Sequence, residues 1–319
     1  MPDRSPAYAL RLAVTLAAFG LLLWWVDPLE LAAAFTSVLW FWVIVRIVPY
    51  ATSIWIQAWR WQLFLGLEGI TTDTNRLFHR VWMSRFFANM MPGSIGGDIF
   101  RVIESADFSN CKLAVARSVL LDRVVGLISL GVYTSIACLV WAWWHAWPNL
   151  GWVAAIGLVS SVIALVLFST GWPGRMTNSL AERLRPGRTK IFFSRLADSL
   201  HDLSGKPRLL VAAALTTILF NVTWAIGSYF GFLAFGLTIS PLLVVTLMPV
   251  VFAVSALPIS INGLGVSEGV FVLVFTAGGL EPAEAAAVAI LLRVTGILMS
   301  GFGGLLYLIE RRRLGQATS

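Results

Sequence analysis

Charge is what this sequence has least of. Asp, Glu, Lys and Arg make up 12% of its 319 residues, while 58% are hydrophobic; soluble domains carry about 25% charge. That shortage excludes an ordinary soluble domain. Cysteine is scarce too, with two in the chain. Cys111 falls in a charged loop and Cys138 in an apolar run, so no disulfide framework is expected. The three histidines, His79, His145 and His201, are dispersed without ligand spacing, and no metal or other cofactor is expected. Gly93 and Gly96-Gly97 lack the strand-to-helix setting of a Rossmann or P-loop turn. No polar stretch is long enough for a separate catalytic domain. A transferase acting on lipid-linked substrates would need a paired acid and nucleophile at one cleft, and none is assignable. No enzymatic role is expected.

What is present is apolar length. Runs able to cross about 30 Å of hydrocarbon lie at about 7–26, 38–64, 119–144, 151–170, 209–235 and 285–309. The first resembles a signal peptide in its flanks, with Arg4 and Arg11 before it and Ala32-Ala33-Ala34 after it. Its length favours an uncleaved first helix. Two shorter apolar pieces, about 78–91 and 242–257, reach only roughly 21–24 Å at 1.5 Å per residue. They read as one arm each of a hairpin that enters and leaves on the same side.

The net charge of +7 would point a soluble protein toward nucleic acid. Here the placement of the charges matters more, and no nucleic-acid partner is expected. Alternating the spans puts 19 of the 23 Lys and Arg on one side. The other side carries Asp27, Glu30, Glu268, Glu281 and Glu284. By the positive-inside rule both termini are cytoplasmic, in what is read as a bacterial cytoplasmic (inner) membrane. The remaining arginines, Arg46, Arg60, Arg123 and Arg293, fall within spans. The basic segment 171–208, with Arg175, Arg183, Arg195, Phe192, Phe193 and Leu196, reads either as amphipathic helices on the inner leaflet or as a solvated loop. The cluster Trp141, Trp143, Trp144 and Trp147 reads as an outer aromatic belt.

Two stretches break the rules of a membrane helix. Residues 86–98 contain Pro92, Gly93, Gly96 and Gly97, and end at Asp98. Residues 252–268 contain Pro258, Gly263 and Gly265, and end at Glu268. Free peptide groups are not tolerated in lipid, so broken backbone at this depth must be buried in protein or line a cavity. Each acid is followed 25 residues later by an arginine, Arg123 or Arg293, and three residues after that by Gly126 or Gly296. Upstream, Leu65-Gly66-Leu67 is similar to Phe235-Gly236-Leu237. Because the first hairpin starts from the cytoplasm and the second from outside, the pattern reads as an inverted repeat. The fold class is therefore all-α: a polytopic membrane protein of about six full spans plus two re-entrant broken hairpins that meet near the midplane. It forms a single membrane domain over 1–319. Within it lie a first helix and outer loop (7–37), repeat one (38–144), a linking span and basic cytoplasmic loop (145–208), repeat two (209–309) and a cytoplasmic tail (310–319).

The candidate substrate-binding residues are Arg46, Asn89, Ser94, Asp98, Arg123, Asn262, Ser267, Glu268 and Arg293. Arginine in a span is costly, from about 2.5 kcal/mol upward. Arg123 and Arg293 either bind a phosphate through the guanidinium fork or clamp Asp98 and Glu268; both roles fit. Arg46 reads as a headgroup ligand or as half of an intramembrane ion pair. Arg60, between Trp59 and Trp61, looks interfacial, with cation–π contact. Helix starts after Gly97 and Gly265 offer N–H groups to an anion, or the nearby polar groups simply satisfy the hairpin backbone.

These motifs carry a resemblance. Arg85-Phe86-Phe87-Ala88-Asn89-Met90-Met91-Pro92-Gly93-Ser94-Ile95-Gly96-Gly97-Asp98, Leu121-Asp122-Arg123-Val124-Val125-Gly126 and Leu257-Pro258-Ile259-Ser260-Ile261-Asn262-Gly263-Leu264-Gly265-Val266-Ser267-Glu268 resemble the flippase-like membrane domain of the lysylphosphatidylglycerol synthase family, over almost the whole chain. The resemblance implies movement of a lipid headgroup, anionic or zwitterionic, on a phospholipid or isoprenoid lipid. In two-domain members a cytosolic domain makes the aminoacylated lipid. Nothing here resembles that domain, so a stand-alone member without synthase activity is expected. Membrane lipids are the expected partners, with Asp98 and Glu268 as proton-carrying candidates. The competing reading is a non-transporting partner of an envelope-biosynthesis enzyme, docked through 171–208.

Overall fold

The computed structural model describes residues 20, 35–90, 96–105, 112–145, 148–184, 187–256, 260 and 263–317. Apart from Gly20, the expected first helix over 7–26, together with Pro92, Gly93, Ser94, Pro258 and Asn262, lies outside them. Among the described residues the protein is helical with no strand, an all-α polytopic membrane protein. In order come α1 (Trp40–Val45), α2 (Ile47–Leu67), α3 (Thr74–Met90), α4 (Gly96–Glu104), α5 (Lys112–His145) and α6 (Pro148–Ser169). Then follow α7 (Trp172–Arg183), α8 (Arg188–Ser204), α9 (Pro207–Ala234), α10 (Pro241–Ser255), α11 (Val266–Ala277) and α12 (Pro282–Ala317). Four helical stretches among the described residues are long and apolar enough to cross a membrane: Trp40–Leu67, Lys112–Trp144, Pro207–Ala234 and Pro282–Arg312. A fifth, Ala154–Ser169 with Trp172–Arg183, is bent by 69°.

The breaks have chemical causes. Pro49 has no N–H, and its ring crowds the carbonyl four residues back, so the helix resets at Arg46 between α1 and α2. Gly69 ends α2 with φ 72°, and Gly236 ends α9 with φ 68°. In both, paired bonds close the last turn: Ile70 N–H donates to the Leu65 carbonyl, and Leu237 N–H to that of Phe232. Only glycine adopts this left-handed cap without penalty. The structural counterpart of Gly236 is thus Gly69, not Gly66. The cap sits three residues beyond the sequence match because hydrogen bonding, rather than local similarity, ends the helix. Farther on, α4 and α11 begin 170 residues apart, as do α5 and α12.

The chain forms two compact units. Unit one comprises Met1–Ser53, Val81–Phe100 and Asn221–Ser319, and so joins the first hairpin to the second sequence half. Small residues bring its helices together, as they do between membrane helices generally. Gly97 of α4 sits against the Ser84 carbonyl of α3, where an added Cβ would lie 2.8 Å away. Gly303 of α12 faces the Trp82 carbonyl, and Gly304 faces the Phe86 ring. Gly227 and Gly231, one turn apart on α9, admit Pro49 and Leu292 respectively. Aromatic packing fills the rest. Phe87 stacks on Phe100 at 4.2 Å with Tyr307 edge-on, while Phe232, Phe271 and Phe275 pack in mutual contact.

Unit two comprises Ile54–Arg80 and Arg101–Phe220. Its helices α5 and α6 meet where Gly131 faces Ser161 and Gly157 faces Ser135. The basic segment does form helices, α7 and α8. However, α8 buries Leu196, Leu200 and Leu203 against Phe64, Leu121, Val125 and Leu210, with Phe192 and Phe193 alongside. Its apolar face is therefore used inside the protein, not on the leaflet. On α7, Trp172, Met176 and Leu180 make an exposed stripe at four-residue spacing. Trp143 and Trp144 face outward but Trp141 is buried, so the aromatic belt loses that member. The free thiol of Cys138 is partly buried.

Replacing Gly303 by Ala forces a methyl against the Trp82 carbonyl and is expected to cost about 1–3 kcal/mol. Gly301→Ala meets nothing within 4 Å and should be neutral or slightly stabilising. Thermal unfolding of both variants in one detergent checks the contrast.

Candidate functional site

Helix α12 is the common partner of three candidate residues in unit one, Arg46, Asn89 and Glu268. Glu268, in the first turn of α11, is 4% exposed. Its Oε2 accepts the Gly265 N–H at 2.7 Å. Its Oε1 accepts a hydrogen bond from Arg293 Nε in a close ion pair. One carboxylate therefore caps the half-helix and holds the arginine. The expectation that this helix start offers its N–H groups to an anion is corrected at Gly265, because the chain supplies the anion itself.

The turn beneath the pair is shaped for close approach. Gly263 has φ 73°, and a Cβ there would lie 2.5 Å from Ser267 Oγ. Both the conformation and the space require glycine. Ser267 Oγ accepts from Ser255 Oγ at 2.9 Å, tying α10 to α11. Ser260 is buried, and its hydroxyl has no partner among the described residues.

The first hairpin also reaches α12. Asn89 Nδ2 donates to Ser300 Oγ at 2.8 Å, and Trp82 Nε1 donates to the Met299 carbonyl at 2.9 Å. Gly96 and Gly97 are buried, and Asp98 is half-buried in the first turn of α4. Arg46 comes from the α1–α2 break and donates through Nη2 to the Leu292 carbonyl at 3.3 Å. No ion-pair partner for Arg46 occurs among the described residues. Three elements thus send a polar side chain to residues 292–300 of α12, a length of about 12 Å at 1.5 Å per residue.

Arg123 belongs to unit two, half-buried on α5. Its neighbour Asp122 points to another face, about 100° around the helix, and is 2% exposed. Asp122 Oδ1 accepts from Arg60 Nε at 2.7 Å, and Oδ2 from both Arg101 Nη atoms at 3.2 Å. Arg60 also donates to Thr217 at 2.8 Å. It is therefore a core ligand and not an interfacial residue. Trp59 is exposed, while Arg60 and Trp61 turn inward, and the cation over Trp61, at 4.0 Å, is Arg101. Sequence reading missed this cluster. Its signal was present in an acid inside a span, whose burial demands a cation. A second such anchor is Glu68, which takes Arg117 of α5 and, at 2.6 Å, the Ser199 hydroxyl of α8.

Asp122→Ala leaves two buried guanidinium groups without their carboxylate. Breaking a buried pair costs about 3–5 kcal/mol, so the variant should unfold well below wild type, and below Arg60→Met, in a thermal scan.

The comparisons with known proteins agree with a membrane protein. The family model described as the lysylphosphatidylglycerol synthase TM region matches residues 8–304. A UPF0104 membrane protein of Pyrococcus horikoshii is 27% identical over 297 residues, covering 85% of this chain and 88% of its own. A UPF0104 membrane protein of Methanothermobacter thermautotrophicus is 21% identical over 314 residues, covering 91% of each. No solved structure matches. With the match over nearly its full length, the chain belongs to the lysylphosphatidylglycerol synthase transmembrane-region family.

Proposed function

We propose that the protein is a flippase-like transporter that moves the headgroup of an anionic or zwitterionic lipid between the leaflets of a cytoplasmic (inner) membrane. The observation that carries this reading is the convergence on α12 of Arg46, Asn89 and the Glu268–Arg293 pair. A charged headgroup crossing hydrocarbon needs polar groups to replace its water. Broken helices gather such groups at membrane depth without exposing backbone to lipid. Arg123 and Asp98 are the first-half counterparts of Arg293 and Glu268 at equal spacing. The acyl or isoprenoid tails stay in lipid throughout. The charge asymmetry of the loops supports cytoplasmic termini.

In this reading the Glu268–Arg293 pair is a latch. A passing phosphate competes with Glu268 for the guanidinium. The second reading, a lipid-binding partner of a biosynthetic enzyme, is favoured by the exposed Trp172, Met176 and Leu180 stripe on α7.

Reconstitution into vesicles with headgroup-labelled phosphatidylglycerol and phosphatidylethanolamine decides between them. Wild type should accelerate transbilayer movement. Glu268→Gln and Arg293→Gln should each slow it by about tenfold or more, equivalent to about 1.4 kcal/mol, while eluting as folded protein. Absence of protein-dependent movement for every lipid class tried would sink the transport reading. Loss of function on polar replacement of the α7 stripe, with both latch variants active, would favour the partner reading.

A further inference from the structure

Two buried nitrogen donors in unit one, Arg46 Nη1 and Trp224 Nε1, have no acceptor among the described residues; the other unpartnered groups there, the hydroxyls of Ser260 and Thr276, can accept as well as donate. Arg46 is 2% exposed. Its one side-chain hydrogen bond in the described residues goes to the Leu292 carbonyl, a neutral acceptor within a helix. From this we propose that Arg46 and Trp224 form a seat for a phosphate group inside the membrane-spanning part of the protein.

The two donors share a neighbourhood. Arg46 lies at the α1–α2 break, and Tyr50 follows one turn later, its N–H donating to the Arg46 carbonyl at 3.2 Å. The Tyr50 ring lies 6.0 Å from that of Trp224 on α9. Gly227, three residues beyond Trp224, has no side chain, and its Cβ position falls 3.9 Å from Arg46 Cγ. The same helix face therefore receives the arginine stem and presents the indole. Trp224 also meets Phe252 of α10 in a T-shaped contact at 6.0 Å.

The deficit is one-sided in chemistry and in charge. Both unmet nitrogens are donors, and one belongs to a cation that never deprotonates in proteins. A water molecule would accept a hydrogen bond from each but leave the charge uncompensated in apolar surroundings, the costly part of burying an arginine. An oxyanion supplies acceptor atoms and the charge together. Phosphate offers several anionic oxygens, which suits a guanidinium edge and an indole N–H at once. The opposite face of α1 and α2 exposes Phe41, Ile44, Ile47 and Val48, an apolar surface suited to acyl chains one helix thickness away. A lipid headgroup is thus the nearest source of phosphate. The inference names the group that the proposed transport site would hold, and it rests on that reading only for this choice of source.

Binding is measured separately from movement. Wild type, Arg46→Met, Arg46→Lys and Trp224→Phe are delipidated in detergent and titrated with dihexanoyl phosphatidic acid, dihexanoylglycerol and inorganic phosphate. Calorimetry and thermal protection are followed. Wild type should bind the phosphatidic acid and not the uncharged glyceride. Arg46→Met should weaken that binding by about tenfold or more, and Trp224→Phe by about threefold to tenfold, as expected for a charged and a neutral hydrogen bond. Trp224→Phe removes the N–H while keeping most of the ring packing, which guards against loss of fold in the arginine variants. Competition by inorganic phosphate at equal concentration would still support the seat but assign it to free phosphate. Equal binding of the uncharged glyceride, or unchanged phosphatidic acid affinity in both Arg46→Met and Trp224→Phe, would overturn the inference. If wild type binds as expected yet moves no lipid in vesicles, the transport reading fails and the phosphate seat stands.

Discussion

A charge inside a helical layer that water does not reach must be met by another charge or by converging hydrogen bonds. Most of the recognisable geometry of this protein follows from that demand. Three carboxylates buried among the described residues are each used twice. Glu268 holds a helix start and Arg293; Asp122 holds Arg60 and Arg101; Glu68 holds Arg117 and Ser199. Such sharing is economical where every acid costs desolvation. It also makes each acid a hub, because its removal strands two partners at once. Arg46 is the exception that shows the demand most clearly, since no carboxylate answers it among the described residues.

The second constraint is van der Waals contact. Lipid tails are as apolar as leucine, so helices gain little by hiding side chains from lipid and much by letting their backbones approach. Glycine and serine supply that approach at Gly97, Gly227, Gly231, Gly303 and the reciprocal Gly–Ser contacts of α5 and α6. Charged hubs and small-residue contacts divide the labour. The hubs fix which residues meet at depth, and the small residues set how near the helices lie.

Much of the fold was legible in the sequence because a membrane leaves few options. Apolar length gave the spans, and Pro with Gly marked the broken segments. The equal spacing of Asp98–Arg123 and Glu268–Arg293 singled out the acid of a pair that the structure forms in the second half. Partners far apart in sequence were not legible. Nothing local shows that Arg60 turns toward Asp122, since that depends on packing of α2 against α5. Nor does local sequence reveal that Asn89 meets Ser300 across 211 positions. Helical phase explains other misses. Trp141 lies within a Trp-rich run, but its angular position turns it into the core while Trp143 faces out. Likewise, the apolar face of α8 reads as leaflet-seeking until Phe64 and Leu121 are seen to cover it.

The left-handed glycine caps carry a further consequence. From Gly69 to the start of α4 is 27 residues, whereas from Gly236 to the start of α11 is 30. After that point the halves run in step. If the two halves descend from one duplicated gene, the difference is a scar of three codons, confined to the hairpin arm and turn. The rest of each copy has kept its reading length. Any engineered hybrid that grafts one half onto the other must therefore place its gap there, between the glycine cap and the second arm. A gap placed elsewhere would turn the acid and its arginine onto mismatched helix faces.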